Sequence, residues 1–323
     1  MLRPFIFAIL LPGAVCAGPV DDARELYIAG DYAAALEVLV PAAEAGDANA
    51  QNILGDAYDR GNGVEVDHAA ALGWWERSAA QGFDKAQYNL GLVYESGTTG
   101  VEADYRRAAE YFEQAMENGN PAAPTNLGLL YEQGHVGVAP GFGPNAPDPE
   151  PDYERAAELY EVGIERGDLD SMNNLANLLV GAQGVDEDLG RAFDLFAAAA
   201  AQGHAGALSN LGVMYASGYG ASADPLAAFA LYGLAAREGY AQAAVNMAWM
   251  LYEGDAPGGT PDDPAVPLAY CWWGVDLERQ TGASAGESRF AEDCGALAEG
   301  LDDAAVDRAG DLADGLSGLS SAD

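Results

Sequence analysis

One segment, Ala86-Gln87-Tyr88-Asn89-Leu90-Gly91-Leu92-Val93-Tyr94-Glu95-Ser96-Gly97, recurs along this chain and restricts its fold more than any other feature. It returns as Ala123…Asn126-Leu127-Gly128…Tyr131…Gly134 and as Ala207…Asn210-Leu211-Gly212…Tyr215…Gly218. Weaker copies are Ala50…Leu54-Gly55…Tyr58…Gly61, Ser171…Asn174-Leu175-Ala176 and Ala243…Asn246-Met247-Ala248. The glycines that close the intervening segments, Gly46, Gly82, Gly119, Gly167, Gly203 and Gly239, are spaced 36, 37, 48, 36 and 36 residues apart. A period of this length means an array of small supersecondary units, none of which buries its apolar face alone.

Each unit reads as two helices. Ala108, Tyr111, Phe112 and Ala115 fall at i, i+3, i+4 and i+7 on one helix face, as do Ala86, Leu90, Val93 and Tyr94 on another. An aspartate precedes the first helix of every unit (Asp67, Asp104, Asp152, Asp188, Asp224, Asp263), where its carboxylate can accept the orphan amides of the first turn. Pro225 and Pro264 follow two of these caps at the expected first helical position, where a missing N–H is harmless. Glycine after each helix provides the left-handed C-cap. Gly91, Gly128 and Gly212 lie inside helices, at a penalty of ~1 kcal/mol each against alanine, which predicts that two backbones approach closely there.

The run Gly61-Asn62-Gly63-Val64, Asp67, Trp74-Trp75, Ala79-Ala80 and Gly82 completes a pattern that resembles the Sel1-like repeat, a relative of the tetratricopeptide repeat. The resemblance implies an all-α, right-handed superhelical solenoid of helix–turn–helix repeats, about sixteen helices in one elongated domain. Six repeats are expected over residues 31–254, after a capping helix within 18–30. A degenerate seventh repeat and C-terminal capping helices follow over 255–315, then a flexible tail over 316–323. The fourth unit departs most, with Ala176 for the inner glycine, Leu179 for the tyrosine and Ala182 for the terminal glycine. Gly/Pro/Asp-rich insertions at about 134–151 and 254–263 read as loops.

The chain opens with Arg3, the apolar run 5–11 and small residues Val15 and Ala17. This is the grammar of a secretory signal cut after Ala17, and the run is far short of the ~20 apolar residues of a membrane span. A periplasmic or secreted protein without membrane insertion is therefore expected, the periplasm resting on the envelope members of the resembled family. Of the three cysteines, Cys271 and Cys294 remain after such a cut, and an even pair in an exported chain predicts a disulfide. They lie twelve and eleven residues either side of Ala283, so an antiparallel helix pair would bring them level. Fifty-one acidic residues against fourteen basic ones, Lys85 the sole lysine, exclude a nucleic-acid partner and an anionic membrane surface. The same excess fits a partner of cationic character, bound divalent ions or plain solubility.

Chemistry-bearing motifs are sparse. Gly282-Ala283-Ser284-Ala285-Gly286 matches a nucleophile elbow in letters but sits between two helices, without the strand that the elbow requires. His68, His135 and His204 lie in different units, without metal-ligand spacing, and are expected to be solvated. The run Asp148-Pro149-Glu150-Pro151-Asp152 lacks the glycine and ligand spacing of a calcium loop. The tryptophan pairs stand at core positions. No catalytic residue, cofactor or metal is assigned.

Asn89, Asn126, Asn174, Asn210 and Asn246 occupy one register in five successive units. A carboxamide can pair with both polar groups of a peptide unit, and the resembled family implies peptide binding in a superhelical groove by such residues; the alternative is that each braces a helix of its own repeat. The expectation is an exported scaffold or regulator that binds a protein or peptide segment and catalyses nothing. The alternatives are a cell-wall or β-lactam-directed hydrolase, as among cysteine-rich relatives, and an acidic structural or cation-binding envelope protein.

Overall fold

The structure, a computed structural model, describes residues 18–98, 100–137, 150–280 and 288–318, which hold sixteen α-helices and no strand. Backbone packing divides the chain into two compact units, 1–123 and 124–323. The first holds α1 (Pro19–Ile28), α2 (Tyr32–Glu44), α3 (Ala48–Arg60), α4 (His68–Ala79), α5 (Asp84–Ser96) and α6 (Tyr105–Glu117). α7 (Ala123–Glu132) begins on the last residue of the first unit and runs into the second. The second continues with α8 (Tyr153–Glu165), α9 (Leu169–Gly181), α10 (Leu189–Ala200), α11 (Ala205–Ser217) and α12 (Pro225–Arg237). It ends with α13 (Ala241–Glu253), α14 (Ala265–Gln280), α15 (Ala291–Ala298) and α16 (Asp303–Ser317). Within each unit helices pack mainly on their sequence neighbours, except that α16 packs on α14, which also packs on α13. This is the all-α, repeated helix-pair architecture.

Local chemistry places the helix ends. Asp67, Asp104, Asp152, Asp188 and Asp224 each accept the N–H three residues on, at 2.9–3.1 Å. Asp263 differs: it accepts from Ala265 at 3.1 Å, and Arg308 of α16 holds its carboxylate at 3.2 Å. Pro264 therefore lies just outside α14 rather than at its first position. The predicted faces pack as a core, with Ala86, Leu90, Val93, Tyr94, Ala108, Phe112 and Ala115 all buried. Tyr111 is half-buried instead, stacked on Tyr94 with centroids 5.6 Å apart. Ala305, Ala309 and Ala313 face the core from α16, which runs to Ser317 and so enters the stretch read as tail. In the second insertion Ala256 is buried, so that loop packs into the core. The signal segment, residues 138–149 of the first insertion and the Gly282–Gly286 motif lie outside the described residues.

Ala182 ends α9 with φ +50°, a left-handed backbone that other helices here reserve for glycine, such as Gly218 at φ +74°. A Cβ is strained in that conformation. Ala182→Gly is expected to raise stability by about 1 kcal/mol, less the entropy that glycine adds to the unfolded chain. Urea titration of both proteins checks this, and an unchanged or lower midpoint would contradict it.

Candidate functional site

The tightly packed pairs put the helix carrying the Leu-Gly pattern first (α3, α5, α9, α11, α13, and α7 in the same order), and the aspartate-capped helix, expected first, follows and covers it. The glycines inside the first helices have a specific neighbour. A Cβ added at Gly55 would stand 2.3 Å from the Trp75 ring, at Gly91 2.4 Å from Phe112, at Gly128 2.6 Å from Tyr160 and at Gly212 2.7 Å from Tyr232. The expected approach of two backbones is thus corrected: an aromatic ring of the second helix lies on the bare Cα. The rings stand eight residues after the capping aspartates Asp67, Asp104, Asp152 and Asp224. Eight residues after Asp188 stands Phe196, matched with Ala176 in one buried cluster, and eight after Asp263 stands Cys271. Cys271 is joined to Cys294 of α15, with Cα atoms 5.6 Å apart.

Passing over the glycine lets a ring carry a polar tip to the asparagine register. Trp75 Nε1 donates to Asp56 Oδ1 at 3.1 Å, and Asn89 Nδ2 donates to the same oxygen at 3.1 Å and to Asn52 at 3.2 Å. Tyr160 donates from its hydroxyl to Glu132 at 2.5 Å and is also hydrogen-bonded with Asn174. Tyr232 is hydrogen-bonded with Asn246, which accepts from Gln242 at 3.1 Å. Burial pushes the pKa of both phenols up, that of Tyr232 to about 12, so they remain protonated. The ring before Asn210 is Phe196, with no polar tip, and Asn210 Nδ2 donates instead to Asn173 at 2.9 Å and Asn177 at 3.2 Å. The five asparagines are all half-buried. The bonds of Asn89 and Asn210 reach the preceding repeat, so bracing within their own repeat is not what these two do.

Asp56 stands one position after Gly55, where the other repeats carry Leu92, Leu129, Asn177, Val213 and Trp249. Burial pushes its carboxyl up to about 6, despite the Trp75 hydrogen bond and the nearby Arg60 and Lys85 that pull it down. Sequence reading did not single it out, because an acid among fifty-one draws no notice until its register is compared.

Two histidines are more engaged than expected. His204 Nδ1 accepts from Ala207 N at 2.9 Å, capping α11, and its Nε2 stands 2.9 Å from Asp170; His68 Nδ1 stands 3.0 Å from Asp59. Trp75 and Trp273 are core residues, whereas Trp74 and Trp272 are half-buried, Trp74 beneath the Arg77 guanidinium at 4.6 Å. Asp152, the one aspartate of the acidic run among the described residues, caps α8. No described helix is long and apolar enough to cross a membrane.

The Sel1 repeat profile matches residues 48–83, 84–120, 121–168, 169–204, 205–240 and 241–265. Among solved structures, a Sel1 repeat protein from Oxalobacter formigenes is 25% identical, with TM-score 0.69, covering 84% of this chain and 100% of its own. The c5321 protective antigen of uropathogenic Escherichia coli, described as displaying an SLR fold, is 24% identical with TM-score 0.52, covering 94% of this chain and 68% of its own. No curated protein sequence matches significantly. With most of its length matched in six successive copies, the chain belongs to the Sel1 repeat family.

Proposed function

We propose that this chain is an exported scaffold or regulator that holds a segment of another protein along its first helices, without catalysing a reaction on it. Sel1 repeat proteins generally act as protein-interaction scaffolds. The observation that carries the reading is what the asparagines leave over. Asn89 and Asn210 each commit Nδ2 to two bonds with the preceding repeat, so each can offer a partner its carbonyl, an acceptor for a peptide N–H. Three residues after these asparagines, Leu92 and Val213 are exposed apolar side chains. A carbonyl acceptor beside an apolar contact, present once in each compact unit, suits an extended polypeptide. Asn126, Asn174 and Asn246 are proposed as further contacts of the second unit, although Asn174 and Asn246 already accept from Asn173 and Gln242. The charge balance supports a partner with cationic character, and the leader supports release from the cell interior with Gly18 as first residue.

Photo-crosslinking in the native host tests the reading. A crosslinker at Leu92 or Val213 is expected to capture a discrete partner, and one at the exposed Glu113 or Asp194 of second helices is not. Equal capture from both faces, or none, would overturn it. Asn210→Ala is expected to lower stability by about 1 kcal/mol through the lost inter-repeat bonds. Against the captured partner, affinity should fall more than that loss explains; if affinity and melting temperature fall only in step, the asparagines brace and do not bind.

A further inference from the structure

Between α3 and α5 in the first unit lies a notch of about 160 Å³, lined by Asp56, Asp59, Arg60, Trp75, Asn89 and Leu92 among others. At its base the Asp56 carboxylate takes two hydrogen bonds on one oxygen, Oδ1, from Trp75 and Asn89. These bonds do not require a charge. In the second unit Asn177 stands at the same register and accepts from Asn210 as Asp56 accepts from Asn89, at 3.2 Å and 3.1 Å. An amide is therefore sufficient to brace adjacent repeats, and the other repeats place apolar residues here. The anionic charge of Asp56 calls for a different explanation.

We propose that the Asp56 notch is a subsite for the cationic side chain, arginine or lysine, of a bound polypeptide. Asp56 supplies the counter-charge, and Leu92 and the edge of Trp75 supply an apolar wall for the aliphatic stem. The groups already facing Asp56 leave it in need of a cation. Arg60 of α3 and Lys85 of α5 pull its pKa down and Asp59 of α3 pushes it up, with the neutral phenol of Tyr27 facing it from α1, yet burial prevails and holds it at about 6. Arg60 and Lys85 are exposed, so water screens them. His68 of α4 is directed at Asp59. A guanidinium seated in the notch would meet Asp56 in its ionised form, so binding releases a proton below about pH 6. The proposal rests on the scaffold reading for the source of the cation, a basic residue in the held segment.

The indole N–H of Trp75, which donates to Asp56, reports on the site in the intact protein. Its NMR signal is assigned by its loss in Trp75→Phe. It is expected to titrate with a midpoint near pH 6, to shift on addition of arginine amide, and not to shift with citrulline amide, the uncharged analogue. The titration midpoint should move downward in the presence of arginine amide. Asp56→Asn retains an oxygen for both hydrogen bonds and is expected to fold, to lose the titration and to weaken arginine amide by roughly tenfold, the equivalent of 1.4 kcal/mol. Wild-type affinity should fall as the pH drops below 6. Equal shifts with citrulline amide, no shift with arginine amide at tens of millimolar, or undiminished binding by Asp56→Asn would overturn the subsite. Those outcomes leave crosslinking from Leu92 and Val213 unaffected, so failure of the subsite is distinguishable from failure of the scaffold reading.

Discussion

Breaking the Cys271–Cys294 link is expected to loosen α15 by roughly 3 kcal/mol, the loop-entropy value for cysteines 23 residues apart. α15 has eight residues, too few to persist as an isolated helix. Besides the sulfur link it is held by the buried Phe290 and Leu297, by the hydrogen bond from Trp249 Nε1 to Asp293 at 3.0 Å, and at its entry by Ser288 and Arg289, both on Glu278. In a repeat array, stability is a sum of local terms, so the loss should be local. In a chain beginning at Gly18, Cys294→Ser should speed amide exchange across 288–302 and leave α9 to α12 protected. Unfolding without reductant should expose no titratable thiol. Two free thiols in that assay would show that the cysteines are not linked in the folded protein.

The two kinds of mid-helix glycine should respond oppositely to alanine. At Gly91 the new methyl would meet the Phe112 ring, which is fully buried and cannot swing into solvent. Overpacking of this kind costs about 1–3 kcal/mol. Alanine returns up to ~1 kcal/mol of helix propensity, leaving an expected net loss of about 2 kcal/mol at the upper end of that range. The natural Ala176 and Phe196 pair shows that a repeat can be built around a methyl there, so Gly91→Ala is expected to fold. At Gly73 in α4 an added Cβ meets nothing within 4 Å, and Gly73→Ala should gain up to ~1 kcal/mol. Urea midpoints of the two variants test this; a loss at Gly73 or a gain at Gly91 would refute the ring-on-glycine account.

The sequence alone determined the elements and most of their ends, Pro264 and the end of α16 excepted, because these depend on residues a few positions apart. Aspartate caps, closing glycines and the 3.6-residue apolar period act within a single helix, and the 36-residue repeat shows that neighbouring pairs have the same packing task. The register of the asparagines was equally legible. Their partners were not. Asn89 bonds residues 33 and 37 positions earlier, and Asn210 does the same, so the contacts depend on how one helix pair is set against the next. The glycines show the same division: a gap in the side-chain row is visible in the letters, but whether a backbone or a ring fills it is decided by the side chain of the facing helix. Asp56 is the furthest case. Nothing in its neighbours along the chain distinguishes it from the other carboxylates, and only packing of α4 and α5 around it removes the water that would have kept its pKa ordinary.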